Sequence, residues 1–228
     1  MKSISQYVSS SNERISSLDD YISVSNERIS SLDDYISEKL KIQKSSYNYH
    51  PKTKEELQEL LKQLMEERGN DGDFNDIDVS QITDMSVLFK GMEKFNGDIS
   101  EWNVSNVTDM ESMFRYCKSF NQDISKWDVS HVKDMTHMFF WCYSFNQPLN
   151  DWDVSNVTNM NGMFEWCAVF NQPLNKWNIS KVENMSFMFA GCESFNQDIS
   201  KWGVSKVEHN NDVFEDCPIK EKYKPKLK

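Results

Sequence analysis

The side chains best suited to chemistry in this 228-residue chain recur in columns, and their spacing decides what they can do. Cys117, Cys142, Cys167, Cys192 and Cys217 follow one another at 25-residue intervals. A zinc site wants ligands a few residues apart, and an odd number of cysteines cannot all pair as disulfides. The expectation is therefore reduced thiols packed as small apolar groups, which also suits a cytosolic protein. The histidines His50, His131, His137 and His209 are scattered, and no nucleophile, base and orienting acid recur around them. Asp98, Asp123 and Asp198 share a column with Pro148 and Pro173, and Asp128 and Asp153 lie nearby. A calcium loop needs its oxygen ligands in place, so a column that tolerates proline reads as a solvated acidic face. No catalytic residue, metal site or cofactor is expected, and the chain reads as non-enzymatic.

Binding chemistry remains. Between the Phe and Cys of successive units the free positions hold Arg115 and Tyr116, Phe140 and Trp141, Glu165 and Trp166, then Ala190 and Gly191. On a helix these pairs would face away from the core. Tyr116, Phe140, Trp141 and Trp166, with His137 and Phe187 at the edge, are the candidate ligand-binding residues, for a protein or glycan ligand. The competing expectation is that the rings pack under a loop or in a contact between copies.

These residues are positioned by a repeat. Phe95, Phe120, Phe145, Phe170 and Phe195 each precede an Asn, and Trp102, Trp127, Trp152, Trp177 and Trp202 keep the same phase. Ile99, Trp102 and Val104 are spaced like a short strand. Val107, Met110, Met113, Phe114 and Cys117 are spaced like one face of a short helix. The predicted fold is thus an α/β solenoid of leucine-rich-repeat type, with five to six units over residues 73–217. Asn96, Asn121, Asn146, Asn171 and Asn196 are suited to bonding exposed backbone groups in the return loops. Residues 47–72 read as a capping helix region: Thr53 and Glu56 have capping-box spacing, Leu57, Leu60, Leu61 and Leu64 share a face, and Gly69 and Gly72 end the run. A basic tail occupies 218–228.

The first 44 residues carry a different period. SNERISSLDDYIS occurs at 11–23 and again at 25–37, and Val8, Ile15, Ile22, Ile29 and Ile36 step by sevens. This pattern predicts a coiled-coil stalk over 1–44, making a homo-oligomer, dimer or trimer, through residues 4–43. A helix folded back on its own chain is the alternative.

The net charge of −11 makes nucleic acid and anionic membranes poor partners. No stretch is long and apolar enough for a transmembrane segment, and the start lacks the apolar run of a signal peptide.

FNQDISKWDVSHVKDMTHMFFWC, residues 120–142, and its sister units resemble the BspA-like leucine-rich-repeat surface proteins, in the variety common among mycoplasma-type lipoproteins. YHPKTKEEL and EKYKPKLK resemble that family's flanks, so the likeness spans roughly residues 47–228. The resemblance implies surface display and adhesion to host or partner proteins. Localisation is unknown: the resemblance suggests cell surface or secreted, the missing signal peptide cytoplasmic. The function expected is a non-enzymatic protein-interaction or adhesion module on an oligomeric stalk. The alternative is an intracellular scaffold or structural component that docks or self-associates through its repeats.

Overall fold

Successive 25-residue segments lie one on the next as rungs, joined by backbone hydrogen bonds and by stacked rings. The structure is a computed structural model in which residues 47–227 are described. The chain divides into a unit of residues 1–46 and one of residues 47–228. The coiled-coil stalk and the oligomer contact expected at 4–43 lie outside the described residues.

One α-helix is present among the described residues, α1, Lys54–Arg68, besides a single 3-10 turn at Glu221–Tyr223. Thr53 caps α1, its Oγ1 accepting the Glu56 N–H at 3.2 Å, while Glu56 reaches back to the Lys52 N–H at 2.7 Å. Gly69, at φ 78°, ends the helix and donates to Met65 O. Leu57, Leu61 and Leu64 are buried. Arg68 forks onto Asp76 at 2.7 and 3.1 Å and also donates to Asp73 O, which ties the end of α1 to the first rung.

The repeats differ from the sequence expectation. Among the described residues there is no strand, only isolated parallel bridges, one from each rung to the next through Asp84, Asp109, Asp134, Asn159, Asn184 and His209. There is no helix in the repeats either, so the chain is not an α/β solenoid of leucine-rich-repeat type. The Ile99–Val104 stretch fails as a strand because the Trp102 N–H closes a turn on Ile99 O and the Val107 N–H closes the next on Val104 O. The Met110–Cys117 stretch fails as a helix for a related reason. Met113, Arg115 and Cys117 donate three residues back, to Met110, Ser112 and Phe114, and the residues between them donate to the next rung. Ser112 N–H reaches Thr136 O at 2.7 Å, Phe114 reaches Met138 O at 2.9 Å, and Tyr116 reaches Phe140 O at 2.8 Å. An α-helix needs negative φ throughout and bonds four residues back. Here Ser112 and Tyr116 are at φ 54° and 66°, which turns their N–H groups outward. A neighbouring rung of the same sequence supplies the acceptors, so no backbone donor is lost by leaving the helix.

Side chains of one column stand above one another. Phe114, Phe139 and Phe164 stack at 5.6 Å between ring centroids, and Phe120, Phe145 and Phe170 at 5.8 and 6.0 Å. All are fully buried, and each contributes roughly 1.5–3 kcal/mol relative to exposure. The tryptophans are buried with their polar end satisfied: Trp127 Nε1 donates to Ile99 O and Trp152 Nε1 to Ile124 O, both at 3.1 Å. The cysteines do the same more weakly, Cys142 Sγ donating to Phe114 O at 3.0 Å. Burial pushes the Cys117 thiol up to about 12, so it is not a nucleophile at neutral pH. All five thiols are free. The asparagines form a ladder in which the Asn121 N–H donates to Asn96 Oδ1, and Asn146 to Asn121, both at 2.9 Å.

The acidic columns are turn formers. Ser125 N–H donates to Asp123 Oδ1 at 2.9 Å, and the Ser130 and Ser155 N–H groups donate to Asp128 and Asp153 at 3.0 Å. Hydrogen bonding from these serines, side chain first and then backbone, holds the three carboxyls below the ordinary aspartate value of 3.8. A carboxyl lowered in the folded state stabilises that state above its unfolded value, and the contribution disappears as pH falls through the folded value. Stability should therefore drop below about pH 4 as these carboxyls protonate. Urea midpoints compared between pH 7 and pH 3 check this, and an unchanged midpoint would remove the carboxylates from the account.

Candidate functional site

On one face of the stack, the two positive-φ positions of each rung make two columns. The first runs Val87, Ser112, His137, Gly162, Phe187 and Asp212, and the second Gly91, Tyr116, Trp141, Trp166, Gly191 and Asp216. Five of the six sequence candidates therefore occupy left-handed backbone, where a side chain costs roughly 1–2 kcal/mol that glycine does not. The sixth, Phe140, lies beside Trp141 in a third column.

Tyr116, Phe140, Trp141, Trp166 and His137 come together as one cluster. Tyr116 meets Phe140 edge-on at 5.3 Å and Trp141 edge-on at 5.8 Å. Trp141 meets Trp166 at 6.3 Å, nearly perpendicular, and His137 meets Phe140 at 5.4 Å. Phe187 stands two rungs beyond His137 in the same column, half-buried. The helical spacing that suggested full exposure is corrected by the turn geometry: Tyr116, Phe140 and Trp141 are half-buried, and Trp166 is the open one at 37% exposure. The result is a ridge whose rings support one another and still present edges and faces outward.

Sequence reasoning singled out the rings and missed the polar groups among them. Arg115 lies over the Phe140 ring at 4.7 Å and the Tyr116 ring at 5.1 Å, donating only to Tyr116 Oη at 3.3 Å. Its Nε is buried without a hydrogen-bond partner, as are Trp141 Nε1 and Thr136 Oγ1. His137 Nε2 lies 3.8 Å from Glu165 Oε2. Burial, then Arg115, lowers His137 below its ordinary value, whereas burial raises Glu165 against the pull of Arg115. Both shifts favour the neutral forms, so the pair is a contact between partly desolvated groups rather than a strong salt bridge. Buried polar atoms without partners are costly, so the cluster is held at some expense to stability.

Two glycines make room for these rings. A Cβ at Gly162, φ 57°, would lie 2.4 Å from the His137 ring, and one at Gly191, φ 68°, would lie 2.6 Å from the Trp166 indole. The alternation of glycine and aromatic in one column was the available sequence signal for positive φ. Gly191→Ala should cost about 1–2 kcal/mol from the backbone and displace Trp166. Urea denaturation and the Trp166 indole N–H resonance check the two parts, and a resonance left in place would remove the packing claim.

Among the described residues no group of three His, Cys, Asp or Glu side chains is placed to hold a metal ion, and no helix is long and apolar enough to cross a membrane. The family described as "Mycoplasma protein of unknown function, DUF285" matches residues 55–161 and, as a second copy, residues 129–224. No curated protein and no solved structure matches the chain.

Proposed function

Because the chain belongs to the family described as Mycoplasma protein of unknown function, DUF285, we propose its function from its own geometry: a non-enzymatic binding module whose aromatic ridge takes a partner molecule. The observation that carries this reading is the use of Tyr116, Trp141 and Trp166 at left-handed positions that glycine fills at 91 and 191. The left-handed conformation belongs to every rung, buried Ser112 included, so what supports a binding role is the placing of half-exposed rings at positions where glycine would be less strained. Trp, Tyr and Arg are also the residue types that dominate binding hot spots. The resemblance to BspA-like surface proteins adds adhesion to host or partner proteins as the biological setting. The heptad-patterned residues 4–43 favour presentation in several copies, which would multiply a weak contact; light scattering of the full chain should then give a multiple of 26.8 kDa.

The testing experiment is display of the full chain on peptide and glycan arrays beside Trp166→Ala. A signal that falls with the substitution supports the reading. No signal, or one indifferent to Trp166, removes it.

One observation favours a second reading, a scaffold that docks through the end of its stack. Among the described residues no rung follows 209–216, so the Asp212, Phe214 and Asp216 N–H groups have no next rung to donate to. An open edge of this kind is a template for pairing. Glu208, Asp212, Glu215 and Asp216 are exposed at that edge and oppose pairing with a like edge, so we place it second.

A further inference from the structure

The column beside the strained aromatics runs Lys90, Arg115, Phe140, Glu165, Ala190 and Glu215, from cations in the early rungs to carboxylates in the late ones. Of the two arginines among the described residues, Arg68 is forked onto Asp76, whereas Arg115 makes no ion pair and rests on two ring faces. No ion pair among the described residues involves Lys90 or Glu215, and both are exposed; Glu165 lies 3.8 Å from His137 and is attracted by Arg115 only at longer range. Neither Arg115 nor Glu165 is thus closed off by a strong ion pair within the chain.

Resting on the binding reading above, we infer that the ridge recognises an extended segment of a partner protein that carries a carboxylate and a cation four residues apart on one face, with apolar side chains between them. The carboxylate meets Arg115, the cation meets Glu165, and the apolar residues lie on Phe140, Trp141 and Trp166. The spacing follows from the stack. Arg115 and Glu165 are two rungs apart, about 10 Å at a rung spacing near 4.8 Å; an extended chain advances about 3.3 Å per residue and turns only alternate side chains to one face, so of the same-face spacings, about 6.6 and 13 Å, the second leaves an apolar residue facing the rings between the charges. Charge order favours a protein segment over a sugar. A neutral glycan would desolvate Arg115 and Glu165 without pairing either, and an acidic glycan would satisfy Arg115 while repelling Glu165, leaving a buried charge unpaired in both cases. A dipolar peptide satisfies both, and charge-assisted bonds to Arg are the strong ones. Arg115 keeps its guanidinium among the rings by contacts with Tyr116 and Phe140, at the edge where the segment's carboxylate would lie.

The experiment titrates the full chain, followed at the Trp166 indole N–H by NMR, with acetyl-Glu-Leu-Leu-Leu-Lys-amide and with the uncharged acetyl-Gln-Leu-Leu-Leu-Gln-amide. We expect the charged peptide to bind at least ten-fold more tightly. Arg115→Gln should erase that difference. Arg115→Glu combined with Glu165→Arg should restore it, since the peptide can lie in the opposite direction. Equal binding of both peptides, lost in Trp141→Gly, would overturn the charge-order inference and leave the binding reading standing. Binding of N-acetylneuraminic acid with neither peptide bound would overturn the peptide assignment in favour of a glycan. Peptide binding that survives Trp141→Gly would overturn the inference together with the ridge.

Discussion

Phe139→Ala is expected to cost about 3–5 kcal/mol, enough to threaten a domain whose whole stability is on the order of 5–15 kcal/mol. The ring is fully buried in a central rung, 5.6 Å from Phe114 below, 5.6 Å from Phe164 above and 4.2 Å from Phe145 beside it. Its removal leaves a cavity with neighbours on three sides, held apart by the interlocked hydrogen bonds of two rungs. In a stack where each rung touches only the next, stability is close to a sum of neighbour terms, so the same change at the end should matter less. Phe214 is half-buried, stacks on Phe189 at 5.9 Å, and has Lys224 over its ring at 5.5 Å. Phe214→Ala should therefore cost less than half as much. Urea denaturation of the two variants makes the comparison, and equal losses would sink the neighbour-sum description.

The contrast between these two phenylalanines also shows what a sequence can tell. The 25-residue period, the buried Phe, Trp, Met and Cys columns, the Asn ladder and the cap at Thr53 were all legible, because each depends on residue type recurring at fixed spacing. Local conformation was not. Met110, Met113, Phe114 and Cys117 have the spacing of a helix face and are buried as that face would be, yet the backbone carrying them is a run of turns. The deciding contribution is the next rung's carbonyls, such as Met138 O for the Phe114 N–H. Those acceptors are tertiary and absent from any local window. The same blind spot hid Arg115 and Glu165 as members of the site: on a helix they would be solvated, whereas on alternating turns they are drawn against the Phe140 and His137 rings. A glycine at 91, 162 and 191 in phase with bulky residues was the clue that the backbone at those positions is left-handed.

That clue yields the variant most able to separate binding from folding. Trp141→Gly should weaken partner binding by roughly 30-fold or more, the effect of losing a central aromatic hot spot worth about 2 kcal/mol. The same substitution should change stability by less than about 1 kcal/mol, because the loss of half-buried ring contacts with Tyr116, Phe140 and Trp166 is offset by release of a side chain from φ 60°. Trp141→Ala loses the same contacts and keeps a Cβ in the left-handed region, so it should be the less stable of the two variants. A buried structural tryptophan would behave in the reverse way, as Trp152 should. Its indole is 3% exposed and donates to Ile124 O, and glycine there would forfeit burial and hydrogen bond together. Parallel urea and binding titrations of Trp141→Gly, Trp141→Ala and Trp152→Gly decide the matter: if the Trp141 variants lose stability as Trp152→Gly does, the ridge is part of the core and the strain at Tyr116, Trp141 and Trp166 has a packing origin.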